Sequence, residues 1–198
     1  MTMASLSVNL DDIRIIICVQ GYSLDYQFIV REIGYCYNGI SGSIPFNCNI
    51  NKRNLDVNNQ RIIYALEEEI HGIKLNKKSD YGLAQSEVRA VLRTLYAMAN
   101  NSKAKYIGIC RDENINGLLH KAGLGIFVVN MDNLNIFRNT LDACPSNKDL
   151  IELMKNNKNL YSVCDLHDKF KNDCIPICAK VKAEFISDFC NNFIPTQF

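Results

Sequence analysis

The sequence predicts an α/β domain built on a mixed sheet, and three observations predict it. Two apolar runs, rich in β-branched residues, stand close together at Ile13–Val19 and Phe28–Tyr37. Two segments with helical apolar spacing follow, at Asn58–Ile70 and Leu83–Ala99. A strand, helix, strand alternation then fills residues 105–130. Closely joined strands pair antiparallel, whereas strands separated by a helix pair in parallel. An antiparallel hairpin at the front and parallel strands behind is therefore the expected layout.

Each element has its own signal. Ile13–Val19 reads as a strand covered on both faces, and Gly21 supplies a sharp turn after it. Phe28–Tyr37 is the second strand, closed by Asn38-Gly39. It carries Arg31 and Glu32 side by side, and neighbouring strand residues point to opposite faces, so one of the two faces inward. In Asn58–Ile70, Ile62, Ile63, Leu66 and Ile70 recur at helical spacing, with Glu67, Glu68 and Glu69 as an outer face and Gly72 as a stop. Leu83–Ala99 is the clearest helix: Val88, Val91, Leu92, Leu95 and Met98 form one core stripe. Lys105–Cys110 is the next strand. Asp112 or Asn114 caps a helix through Leu118 and Leu119 to Ala122, Gly123 ends it, and Gly125–Asn130 is the following strand. Asp149–Lys155 and Ile175–Phe189 read as further helices, the last burying Val181, Phe185 and Phe189.

Composition sets the bounds. A chain of 198 residues is expected to form one domain spanning 1–198, with its core at about residues 13–190. At 47% hydrophobic and 22% charged residues it is not a disordered chain. Its 22 basic and 21 acidic residues exclude a globally basic nucleic-acid binder and leave a local basic patch open. No run is long and apolar enough for a membrane span, and the first residues lack the pattern of a secretory leader. Nine cysteines, an odd number, argue against a fully paired disulfide framework and for a reducing, cytoplasmic compartment.

The segment Cys164 to Cys174 carries the chemistry. It spells C-x2-H-x6-C, through Cys164, His167 and Cys174. Two thiolates and an imidazole suit Zn²⁺, which prefers tetrahedral sulfur and nitrogen sites. A closed site needs a fourth ligand. Local candidates are Cys178, one helical turn beyond Cys174, and Asp165, Asp168 and Asp173; a remote one is Glu32. The competing explanation is that these are ordinary core cysteines. Cys36, Cys48, Cys110, Cys144 and Cys190 read as buried thiols, His71 as a donor at a helix C-terminus, and His120 as a surface residue.

Several stretches together resemble a known family. They are Cys18-Val19-Gln20-Gly21-Tyr22, Phe28-Ile29-Val30-Arg31-Glu32-Ile33, His71-Gly72-Ile73, the strand ending Val128-Val129-Asn130-Met131-Asp132-Asn133-Leu134, and the Cys164, His167, Cys174 set. The chain resembles the Maelstrom-type domain of the animal piRNA pathway and related arthropod viral or mobile-element proteins. The resemblance implies a ribonuclease-H-like, DnaQ-exonuclease-like fold, a layout that other α/β domains share. It implies that Glu32, Cys164, His167 and Cys174 hold a structural zinc ion. It also implies binding of single-stranded RNA or an RNA-silencing protein. The chromatin-binding HMG-box found in animal relatives has no counterpart in the sequence, so DNA binding is not carried over.

Exonucleases of that fold place a D-x-E pair at the end of the first strand to hold two Mg²⁺ ions. The matching positions are Cys18 and Gln20, so no catalytic residues are assigned, although Asp112, Glu113 and Asp132 lie further on. The expected function is a zinc-stabilised, catalytically degenerate domain that binds single-stranded RNA or a small-RNA-pathway component and modulates RNA silencing. The alternatives are a metal-independent single-strand endonuclease and a protein-interaction scaffold. Lys103, Lys105, Arg111 and Lys121, with Lys148, Lys155, Lys158, Lys169 and Lys171, supply dispersed charge for phosphates or simply solvated surface.

Overall fold

The computed structural model of the chain describes residues 8, 10–25, 27–70, 72, 73, 75, 80–99, 104–109, 113–131, 152, 164, 167 and 178–192. Five strands, β1 (Ile13–Leu24), β2 (Gln27–Tyr37), β3 (Ile40–Pro45), β4 (Tyr106–Ile109) and β5 (Val128–Asn130), form one mixed sheet in the order β3-β2-β1-β4-β5. β1, β2 and β3 pair antiparallel, while β1, β4 and β5 pair in parallel. Among the described residues four α-helices accompany the sheet: α1 (Val57–Ala65), α2 (Val88–Met98), α3 (Glu113–Lys121) and α4 (Ala179–Asn192). None among the described residues is long and apolar enough to cross a membrane.

The front of the sheet departs from expectation in two places. Asn38 and Gly39 both have positive φ, 48° and 73°, which suits a tight two-residue hairpin turn. The turn leads into β3, a strand absent from the sequence reading because Ile40-Ser-Gly-Ser-Ile-Pro45 carries little apolar signal. Gly21, expected to end the first strand, lies inside β1. A Cβ there would stand 2.1 Å from the Ile29 carbonyl oxygen, so the two strands meet too closely for any side chain. Beside it the pairing steps from Gln20↔Glu32 to Gly21↔Val30, which leaves Arg31 as an extra residue in β2. This β-bulge interrupts the alternation of side chains. Both Arg31 and Glu32 are therefore buried, at 0% exposure each, where strict alternation places one inside.

The two faces of β1 bury different layers. Ile15, Ile17 and Val19 pack with Ile107 and Ile109 against Leu92 and Leu95 of α2 and Ile115 and Leu119 of α3. Ile16 and Cys18, with Cys36 of β2, pack against Ala179, Ala183 and Ile186 of α4. A third cluster joins Tyr22 and Leu24 to Cys48, Ile63 and Leu75.

Helix phase explains the remaining corrections. Asp56 caps α1 by accepting the Asn59 N–H at 2.7 Å. After Ala65 the backbone widens into a π-helical turn, Leu66–Ile70, which shifts the side-chain phase. Glu67 consequently turns inward, paired with Lys52 at 2.7 Å and accepting the Leu75 N–H, so the expected outer face of three glutamates is broken. Ile63 is buried while Ile62 is exposed. In α2 the stripe ends one turn early, with Met98 exposed. In α4 Ile186 is buried, and Phe185 and Phe189 are half-buried with their rings 6.4 Å apart. His120 is exposed, and Cys36, Cys48 and Cys190 are buried. The readings for His71, Cys110, Asp112, Asp132 and Cys144, and for the helix at 149–155 apart from Glu152, lie outside the described residues.

Candidate metal centre

The centre is built on β2. Glu32 sits opposite Gln20, and Gly34, two residues on, sits opposite Cys18. Directly paired and alternate strand residues share one face, so all four lie toward α4. Gly34 lets that helix down onto the sheet. A Cβ at this position would be 2.0 Å from the Ala179 carbonyl carbon, so any other residue would hold α4 away. The close approach brings the first N–H of α4, that of Ala179, to 2.9 Å from Glu32 Oε2. A carboxylate there satisfies one of the helix's unpaired donors and meets the positive end of its dipole.

Three further donors converge on the carboxylate. Cys178 immediately precedes α4, and its sulfur lies 3.3 Å from Glu32 Oε1. His167 Nε2 lies 4.0 Å from Glu32 Oε2. The Cys164 sulfur lies 3.1 Å from His167 Nδ1, and the His167 N–H donates to the Cys164 carbonyl at 3.1 Å, a turn that holds both side chains on one side. One donor atom from each of Glu32, Cys164, His167 and Cys178 falls within 4.8 Å of every other. Glu32, His167 and Cys178 are buried and Cys164 is partly exposed.

The set fits a divalent cation. Zinc bonds of the usual lengths to sulfur, nitrogen and oxygen give a tetrahedron with edges of about 3.3–3.8 Å, close to the contacts above. The electrostatics point the same way. Burial pushes the Glu32 carboxyl up to about 7, partly offset by the His167 charge. The two thiols share a proton: the bond from Cys178 holds Cys164 below the usual thiol range, and the same bond pushes Cys178 up. The Cys178 S–H thus faces two acceptors, the Cys164 sulfur and Glu32. Burying such acceptors is costly unless a cation offsets them. A Glu, two Cys and His set can hold a metal ion and complete its coordination, which is the pattern of a structural site.

Of the residues the resemblance implies, Glu32, Cys164 and His167 are brought together. Cys174 lies outside the described residues, and Cys178, the local alternative, completes the cluster. Its signal in the sequence was weak: a spacing of four from Cys174, at the start of a helix. The positions matching a nuclease's acidic pair, Cys18 and Gln20, are buried on the same face as Glu32. The sequence reading also missed a second polar network. Arg31 donates to the Phe46 carbonyl at 2.5 Å, Tyr22 donates to the Ile73 carbonyl at 2.7 Å, and the Gln85 amide bridges Val30 and Asn47 at 2.6 Å each. These groups satisfy backbone beside the bulge. No protein-family model, curated protein or solved structure matches this chain.

Proposed function

We propose that the chain is a zinc-stapled domain of the ribonuclease-H-like kind that binds single-stranded RNA or a small-RNA-pathway component, and so modulates RNA silencing. The observation that carries the reading is the convergence of Glu32, Cys164, His167 and Cys178, from distant parts of the chain, on one small volume. It agrees with the zinc set implied by the Maelstrom resemblance at three of four positions. The strand order β3-β2-β1-β4-β5, antiparallel at the front and parallel behind, supports the fold assignment.

Binding is favoured over two-metal catalysis for a chemical reason. A thiol and a neutral amide, at Cys18 and Gln20, are poor ligands for Mg²⁺. The neighbouring carboxylate, Glu32, is engaged at both oxygens by Cys178 and Ala179. For RNA, a cleft of about 380 Å³ lies between the β1–β2 hairpin end and α3, lined by Phe28, Gln27, Asn114 and Lys121. An aromatic face, two amides and a cation are the groups that engage a single-stranded nucleotide.

Two measurements test the reading. Elemental analysis of the purified protein is expected to give one zinc per chain. Titration with single-stranded RNA is expected to show affinity that falls steeply with salt, and Lys121→Glu is expected to weaken it by about 3- to 10-fold at low salt. Absence of binding at low salt overturns the RNA reading and leaves the metal centre standing. Cleavage that survives purification and EDTA favours the endonuclease alternative.

A further inference from the structure

The four donors of the metal centre are not equally protected. Glu32 and Cys178 are fully buried, and His167 is 6% exposed, whereas Cys164 is partly open to solvent. The two sulfurs lie within 4.8 Å of each other on opposite sides of the cluster's seam: one precedes α4, the other stands at the turn before His167. Zinc-bound sulfurs sit about 3.8 Å apart, and a disulfide needs about 2.05 Å, so the sulfurs close the gap as the S–S bond forms and cannot then both remain ligands.

From this asymmetry we infer that Cys164 is a peroxide-sensitive modification site: its oxidation links it to Cys178 and expels the metal ion. The inference rests on reading the cluster as a zinc site. The oxidant is hydrogen peroxide. The partly exposed Cys164 thiolate attacks one peroxide oxygen, the O–O bond breaks, and hydroxide leaves, giving a sulfenic acid at Cys164. The Cys178 thiolate then attacks that sulfur, forming the S–S bond and expelling a second hydroxide. One H₂O₂ is reduced and two thiolates are oxidised, which balances two electrons. The ion loses both sulfur ligands, and Glu32 and His167 alone cannot retain it. A dithiol reductant reverses the step.

The consequence reaches the fold through Glu32. The carboxylate that accepts the Ala179 N–H is the same one that meets the ion, so loss of the ion frees the β2–α4 seam from its charged staple. The device makes attachment of α4 to the sheet depend on peroxide.

The test uses the full-length, zinc-loaded protein. Zinc content is measured first, then equimolar hydrogen peroxide is added while a chromogenic chelator reports release. Thiols are blocked and disulfides mapped by mass spectrometry. The expected result is release of most of the ion, a peptide pair linked through Cys164 and Cys178, and recovery of zinc binding after dithiothreitol and added zinc. Protein isolated and reconstituted without zinc overturns the metal reading and the switch with it. Protein that holds zinc but keeps it under peroxide overturns the switch alone. So does release with Cys164 driven to sulfinic acid, or with Cys164 linked to a different cysteine. Cys36→Ser, at a buried thiol outside the metal cluster, is expected to bind zinc, to release it under peroxide and to give the same Cys164–Cys178 link as the unaltered chain.

Discussion

The two faces of the central sheet solve the same problem with different chemistry. On one, α2 and α3 are held chiefly by hydrocarbon, Leu92, Leu95, Ile115 and Leu119 covering Ile15, Ile17 and Ile107, with Arg14 and Arg93 donating to the carbonyls of Ala99 and Ala122 at the helix ends. On the other, the first turns of α4 come down on small side chains, Ala179 and Ala183, with Ile186 following, against Ile16 and Cys18, and its N-terminus is met by Glu32 with Cys164, His167 and Cys178 around it. Small side chains allow close approach and bury little apolar area, so this layer gains less from the hydrophobic effect per residue. On the proposed zinc reading, a directional, many-ligand staple makes up the difference, so that one face draws stability mainly from area and the other mainly from a single point.

Breaking that point should have the largest effect. Cys164→Ser or His167→Ala removes a ligand, and structural zinc contributes on the order of 10 kcal/mol of apparent binding free energy. Even a partial loss of about 4 kcal/mol lowers the melting temperature by roughly 10 °C in a chain of this size. Thermal unfolding followed by circular dichroism, with and without chelator, measures it. Chelator is expected to mimic the variants in the unaltered protein and to do nothing further to either variant. Unchanged melting of both variants removes the staple from the account.

The matching change on the hydrocarbon face is Leu92→Ala. Leu92 is fully buried, and such truncations cost about 2–5 kcal/mol by lost transfer energy and a residual cavity. Denaturant unfolding should place the loss in that range while zinc stoichiometry stays the same. If Leu92→Ala also empties the metal centre, the two faces are one cooperative unit and the contrast collapses.

The same contrast decides what could be read from the sequence. Periodicity reports burial of hydrocarbon, so β1, β2, α2, α3 and the parallel strands were legible, as was a mixed sheet. Periodicity is silent where one backbone residue changes the phase. The extra residue at Arg31 buried two adjacent charges, and the π-helical turn at Leu66–Ile70 turned Glu67 inward. The metal centre was half legible. Cys164 and His167 announce themselves by spacing, but Glu32 is distant, and Cys178 becomes a ligand candidate only because Gly34 lets α4 settle. No local pattern records that Gly34 faces a helix.

Gly34→Ala sharpens this point with a smaller effect. The added methyl would meet the Ala179 carbonyl carbon at 2.0 Å, so α4 must shift away from β2. Such overpacking costs about 1–3 kcal/mol. It also moves Cys178 relative to Glu32, so zinc affinity is expected to fall by at least about tenfold in a competition titration, with no change at the α2–α3 face. Unaltered affinity with lowered stability would mean that the staple tolerates the shift.

The gentlest probe is alkali, because it acts on one set of layers. Burial raises the thiols of Cys36 and Cys48 and the phenol of Tyr22 above their ordinary values. In the unfolded chain the thiols ionise near pH 8.5 and the phenol near pH 10. Above those values the folded chain holds more protons than the unfolded one, so stability falls as pH rises. The contribution is fully present below about pH 8.5 and is lost in two stages, thiols first and phenol second. Cys36 lies under α4, and Cys48 and Tyr22 lie in the cluster beside α1, while the α2–α3 cluster holds no thiol among its described buried residues. Hydrogen exchange between pH 7 and 10.5, corrected for intrinsic rate, should therefore show α4 and the end of β1 losing protection before α2 does. Uniform loss would show that unfolding is global and that the two faces, however different in chemistry, open together.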